Sequence, residues 1–394
     1  MSSERLARRR PTPITALALG TLLCVGATAA PVHAADAATV VNAGSERAVD
    51  ASYLVVFEDG AKPDLAGAYG VRVRDTFDHA LRGALVEGSE RQARRLAADP
   101  GVRLVEQNTV VHRARSPKAI QSSPPSCGLD RIDQRALPLD GSYSYPRSAG
   151  RGVDVYVIDT GIDYDHPELR PRAEFGFDAF GGDGGDEHGN GTHMAGVIGG
   201  TEHGVAKRAR LISVKVLDAQ GGGTLAGVVA GIDWVTEHAH GPSVANFVIG
   251  APPSEVLDDA VRRSIGAGVT YVMSAGADGV DLADSSPARV AEGLTVGASD
   301  CDDRVAPFSN HGKGLDLYAP GVDIPSARPG GGTATESGTS VAAAHASGAA
   351  ALLLGERPNA SPRAVNKALK NRAVKNALTG VPAGTADKLL RTAP

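Results

Sequence analysis

Aromatic residues are scarce. The 394-residue chain has one Trp, eight Tyr and seven Phe, so its core must be built from Val, Ile, Leu and Ala. That aliphatic content is high, so the forty-nine glycines point to tight turns and close helix–sheet packing rather than disorder. The three cysteines exclude a framework of several disulfides. There is no basic block in the folded part, and the net charge is -5, which argues against nucleic acid as a partner. No internal repeat is visible. The length is too great for one small domain and sufficient for one sizeable core with additions.

The first residues have the form of an export signal. Arg5, Arg8, Arg9 and Arg10 make a positive start, and residues 14–30 are uncharged and mostly apolar. Val32-His33-Ala34 then places small residues at the two positions a signal peptidase inspects. The apolar stretch is short for a membrane span. Residues 1–34 are therefore expected to be a cleaved signal peptide, giving a secreted, extracellular protein with no membrane attachment. Cys24 falls within the signal, leaving Cys127 and Cys301 in an oxidising compartment. One disulfide and two buried thiols are both compatible with the sequence.

A small α+β unit is expected next, within residues 35–113, its folded part spanning 52–113. Residues 53–57 and 81–86 are strand-like. Ser89 with Gln92 has the spacing of a capping box, Asp99-Pro100-Gly101 stops the helix, and residues 102–111 suggest another strand. Residues 114–125 have the composition of a polar linker that proteases would cut. From Gly152 onward, apolar strand runs at 153–158, 211–217, 243–249 and 269–273 alternate with helical patterns at 193–199, 225–238 and 256–265. Such alternation predicts an α/β fold with a parallel sheet covered by helices on both faces. Its ligands would bind at the carboxyl ends of the strands.

Three segments there could carry chemistry. Val155-Tyr156-Val157-Ile158-Asp159-Thr160-Gly161-Ile162 ends an apolar strand on an acid. Gly189-Asn190-Gly191-Thr192-His193-Met194-Ala195-Gly196 turns into a helix. Gly338-Thr339-Ser340-Val341-Ala342-Ala343-Ala344-His345 puts a serine at the start of an Ala-rich helix. Taken singly, the acid is an ordinary turn residue and the serine an ordinary helix cap. Together with Gly128-Leu129-Asp130-Arg131-Ile132-Asp133-Gln134, Val216-Leu217-Asp218, Gly231-Ile232-Asp233-Trp234-Val235, Ser286-Pro287-Ala288-Arg289-Val290 and Phe308-Ser309-Asn310, they resemble the subtilisin-like serine peptidases (subtilases), in the proteinase K-like branch. The resemblance covers nearly all of residues 127–375. It implies a subtilisin-like domain over 126–394. It also implies a ferredoxin-like, inhibitory propeptide that assists folding.

The resemblance makes Asp159 the acid that orients the catalytic base and Ser340 the nucleophile. It also exposes two departures. The family's pattern His-Gly-Thr-His-Val-Ala-Gly, laid on this chain without a gap, puts Asn190 at the catalytic histidine and His193 at the second, structural histidine. Asparagine is not basic near neutral pH and cannot take the serine proton. The family's oxyanion asparagine, at the end of Ala-Ala-Gly-Asn, corresponds to Ala277, followed by Asp278. In subtilisin itself, losing the histidine costs about a millionfold in turnover, and losing the oxyanion donor about 100 to 1,000-fold. His188 lies two residues upstream, a displacement of up to roughly 7 Å, and could act as base only after local rearrangement. Smaller departures are Val248-Ile249-Gly250-Ala251 in the substrate strand and Ala344 where the family has proline.

The expectation is a secreted serine endopeptidase homologue that is catalytically inactive or severely impaired, a pseudoenzyme. The alternative is an active endopeptidase using His188 or a histidine carried by the substrate. Polypeptide substrates or peptide ligands, and the chain's own propeptide, are the expected partners of a monomer. Structural calcium is common in the family, but no ligand set stands out in the sequence.

Overall fold

The structure, a computed structural model, describes residues 39–110 except 46 and 62, together with residues 118–392. The expected signal peptide therefore lies outside the described residues. The chain divides into two compact units, residues 1–114 and 115–394.

The first unit contains β1 (Ala48–Phe57), β2 (Arg72–Phe77), β3 (Gly83–Glu87), α1 (Glu90–Ala97) and β4 (Val102–Thr109), with a 3₁₀ turn at Pro63–Tyr69. The strands form one sheet in the order β2-β3-β1-β4. With the 3₁₀ turn in place of the first helix, this is the ferredoxin-like order. The capping box is present: Ser89 accepts from Gln92 N, and Gln92 Oε1 accepts from Ser89 N at 2.8 Å. Tyr53, Val55 and Phe57 on one side of β1 pack with Ala93 and Leu96 of α1.

The second unit begins with β5 (Lys118–Ser122), α2 (Cys127–Asp133), β6 (Ser142–Pro146), β7 (Asp154–Asp159) and β8 (Ala173–Asp178). Part of the expected linker, residues 118–122, is thus a strand, paired antiparallel with β6. There follow α3 (Asn190–Gly199), β9 (Arg210–Lys215), α4 (Leu225–His238), β10 (Ser243–Phe247), α5 (Glu255–Gly266) and β11 (Thr270–Ser274). The unit continues with β12 (Leu294–Ser299), β13 (Leu317–Pro320), β14 (Ile324–Ala327), β15 (Thr333–Glu336), α6 (Thr339–Glu356) and α7 (Pro362–Arg372). Two short strands, β16 (Val374–Lys375) and β17 (Lys388–Leu389), close it.

Nine strands form the main sheet, in the order β16-β17-β13-β12-β11-β10-β7-β9-β8. It is parallel except for the β16–β17 pair. Alternate residues of the central strands feed two aliphatic layers, because both faces are covered. Val155 and Val157 of β7 join Met194 and Ile198 of α3 and the Ala-rich face of α6. Tyr156 and Ile158 of β7 join Val228 and Ile232 of α4 and Leu257 and Val261 of α5. The fold expected from the alternation is the fold observed.

Cys127 and Cys301 form a disulfide with Cα atoms 6.0 Å apart, which resolves the two possibilities left by the sequence. Beside it, fully buried Arg131 holds Asp303 through two bonds of 2.6 and 3.0 Å.

Candidate active site

Asp159 ends β7, at the carboxyl edge of the sheet, and is fully buried. Its Oδ1 accepts from Thr160 N at 2.7 Å, and its Oδ2 accepts from Asn190 Nδ2 at 2.7 Å. Burial raises its pKa to about 6, although both hydrogen bonds pull the other way. The Asp186 charge also raises it, and His188 lowers it.

Asn190 is the first residue of α3, after Gly189 at φ 114°. The helix start is organised by Asp186. Its Oδ1 accepts from Thr160 Oγ1, His188 N and Gly189 N at 2.8–3.0 Å, and its Oδ2 from Thr192 N and Oγ1 at 2.9 and 2.6 Å. A carboxylate saturated in this way caps a helix whose own N-cap residue is glycine. Gly191 is packed so closely on Gly161 that a Cβ would overlap the Gly161 carbonyl. The register of the turn leading to Asn190 is therefore tightly set.

His188 is exposed. Its Nδ1 accepts from Asn190 N at 3.4 Å, and its Nε2 faces the turn at Gly221, where an added Cβ would lie 3.1 Å away. Asn190, and not His188, is the side chain bonded to Asp159. His193 sits one turn further along α3, fully buried, with Nε2 bonded to the Ile324 carbonyl at 3.1 Å. Burial holds its pKa down to about 4, so it is neutral.

Ser340 is the second residue of α6 and is half-buried. Among the described residues its hydroxyl has no hydrogen-bond partner. Behind it the helix is buried from Val341 to Leu354, which fixes the position of its first turn. The loop after β11 approaches that turn, with Gly276 N donating to Thr339 Oγ1 at 3.2 Å. Buried Asn310 shapes the same loop. Its Nδ2 donates to the Ala275 carbonyl at 3.0 Å, and its Oδ1 accepts from Asp278 N and Val280 N at 3.1 and 3.0 Å. Gly276, at φ 99°, has no room for a Cβ against Asn310. Ala277 and Asp278 are exposed at the tip.

Two groups at the site were missed in the sequence. One is Asp186, whose capping role had a local signal in the three residues before Gly189. The other is Glu336, at the end of β15, whose surroundings come from distant segments. Among the described residues no three His, Cys, Asp or Glu side chains converge as metal ligands, and no helix is long and apolar enough to cross a membrane.

A model of the subtilase family matches residues 150–387. The chain belongs to the subtilase family. It is 47% identical over 314 residues to an extracellular serine proteinase of Thermus sp. (strain Rt41A), covering 79% of this chain and 75% of that one. It is 36% identical to subtilisin-like protease 3 of Arthroderma otae, over 94% of this chain and 98% of that one. The crystal structure of a cold-adapted subtilisin-like serine proteinase matches over 69% of this chain and all of its own, with 44% identity and a TM-score of 0.67. Subtilase membership places this protein among homologues named as serine proteases, which act on polypeptides.

Proposed function

We propose that this subtilase is a secreted homologue of serine endopeptidases whose peptide-bond hydrolysis is abolished or severely impaired. In this reading Ser340 is the retained nucleophile and Asp159 the retained acid, while Asn190 occupies the place of the base. The observation that carries it is the 2.7 Å bond from Asn190 Nδ2 to Asp159 Oδ2. Peptide hydrolysis needs a group that takes the serine proton and then delivers it to the leaving amine. An amide bonded to the acid keeps the connection to Asp159 and supplies neither transfer.

Ala277 supports the same reading. An oxyanion donor must be a polar hydrogen aimed at the developing charge, and an alanine side chain offers none. The neighbouring carboxylate of Asp278 opposes an oxyanion electrostatically. The alternative base, His188, is disfavoured by its exposure and by its orientation toward the Gly221 turn. A substrate histidine entering the site is a second route, and it predicts cleavage confined to histidine-containing peptides.

The first unit is read as the propeptide. Because relatives release theirs by self-cleavage, a chain without a working base keeps residues 35 to about 113 attached unless another protease cuts. Incubation of the purified secreted protein with a peptide panel tests the proposal. Negligible cleavage is expected, and vigorous cleavage irrespective of histidine content contradicts it.

A further inference from the structure

Strand β6 carries two tyrosines, Tyr143 and Tyr145, whose rings stack with centroids 5.2 Å apart. Tyr143 is fully buried, and its hydroxyl donates to the Val205 carbonyl at 2.9 Å. That bond fixes the chain two residues before Lys207, whose Nζ lies 5.7 Å from the centroid of each ring. Lys207 Nζ also donates to the Glu202 carbonyl at 2.9 Å. The same lysine lines a cleft of about 290 Å³ with Ala119, Tyr145, Arg147, Ala149 and Arg208. Arg147 reaches β5, its Nε donating to the Lys118 carbonyl at 3.3 Å. Arg208 is exposed, and among the described residues its side chain has no ion-pair partner. The cleft thus brings together three cationic residues with no carboxylate in its lining, a composition suited to a small anion. None of these residues belongs to the site around Asp159.

The lysine is the unusual member of the three. Its ammonium is attracted by the two rings, yet the rings occupy space in which water would hydrate it. Glu202 and Glu168 favour the charged form, and Arg172 opposes it. Glu168 is itself engaged by His203 at 2.8 Å, and burial raises Tyr143 and Tyr145, which are neutral. Burial outweighs both carboxylates and brings Lys207 down to about 8. At neutral pH the free amine is therefore far more abundant here than on an exposed lysine.

We infer that Lys207 is a covalent attachment site for small carbonyl compounds bearing a carboxylate, its Nζ forming an imine while Arg147 and Arg208 hold the anion. The Nζ lone pair adds to the carbonyl carbon, and a proton passes from nitrogen to the carbonyl oxygen through solvent. The resulting carbinolamine loses its hydroxyl group and the remaining amine hydrogen as water, leaving a C=N bond. Amine and carbonyl give imine and water, so no oxidant or reductant takes part. A planar guanidinium matches the two oxygens of a carboxylate, which gives the site a preference that a lone lysine lacks.

The test incubates the full secreted chain at pH 7 with glyoxylate and cyanoborohydride, which reduces the imine to a stable secondary amine. Peptide mapping then reads the modification rate at each lysine. Lys207 should react at least about tenfold faster than the exposed Lys313 and Lys367. Acetaldehyde, which has no carboxylate, serves as the neutral probe. The glyoxylate-to-acetaldehyde ratio at Lys207 should exceed that at Lys313 by about tenfold, and Arg147→Ala with Arg208→Ala should bring the two ratios together. Melting curves check that the double variant is folded; Arg208→Ala alone, at an exposed side chain, replaces it if it is not. Modification of Lys207 no faster than Lys313, or a ratio unaltered in the folded variant, overturns the inference.

Discussion

Asn190 donates its side-chain amide to Asp159 Oδ2 at 2.7 Å, and this bond is the main compensation for burying the Asp159 carboxylate. Burial alone drives the carboxyl toward neutrality, and the donated hydrogen bonds limit the rise to about 6. Asn190→Ala should therefore raise the Asp159 pKa further and destabilise the protein by about 1–3 kcal/mol at pH 8, where the carboxylate is charged and short of a donor. Urea unfolding at pH 5 and pH 8 checks this. A penalty no larger at pH 8 than at pH 5 would count against it.

Stability should pass through a maximum near pH 6.5. Burial lowers His193 and His345 to about 4, so the unfolded chain binds protons more readily and stability falls as pH drops from about 6.5 toward 4. Asp159 and Glu336 are raised to about 6 and about 7. For them the native state holds the proton longer, and stability falls as pH rises from about 4 through those values. The two pairs oppose each other up to about pH 6.5, above which Glu336 alone of the four still titrates in the native protein. Glu336→Gln should flatten the decline between about pH 6.5 and 7.5 in a series of melting curves. An unchanged decline would assign it to other groups.

Much of the fold was legible in the sequence because its signals were local. The buried strands β7, β9, β10 and β11 read as apolar runs, and the Ser89–Gln92 cap had its pattern within four residues. Strand β8 was missed: its Glu174 and Phe175 are exposed because it lies at the sheet edge, so it lacks a continuous apolar run. Glu336 was missed for a different reason. Its environment is made by Asp159, Asp186 and His193, which only folding brings near. The identity of Cys127 and Cys301 as a pair likewise depended on a distance between segments that sequence does not carry.

The disulfide and the buried ion pair beside it should be coupled. Cys127→Ser with Cys301→Ser frees a 174-residue separation, and chain-entropy reasoning gives a loss of up to about 5 kcal/mol. Asp303→Ala strands the Arg131 guanidinium and should cost about 3–5 kcal/mol on its own. Because both tie α2 to the same short segment, the combined variant should lose less than the sum. Strict additivity in unfolding measurements would contradict the coupling.

Asn310 holds the loop that carries Ala277 through three side-chain hydrogen bonds. Asn310→Ala should release residues 275–280 while leaving α6 packed. Amide hydrogen exchange should show lost protection at Asp278 and Val280, with little change from Val341 to Leu354. Equal loss in both segments would mean that the substitution unfolds the unit globally.

The most direct test of the central claim compares peptide hydrolysis by the wild-type protein with that of Asn190→His combined with Ala277→Asn. The account predicts negligible turnover by wild type and a gain of several orders of magnitude in the double variant, since the restored imidazole would meet Asp159 and Ser340 already in place. Turnover by wild type equal to that of the double variant would contradict the account and show that the chain hydrolyses peptides without either residue.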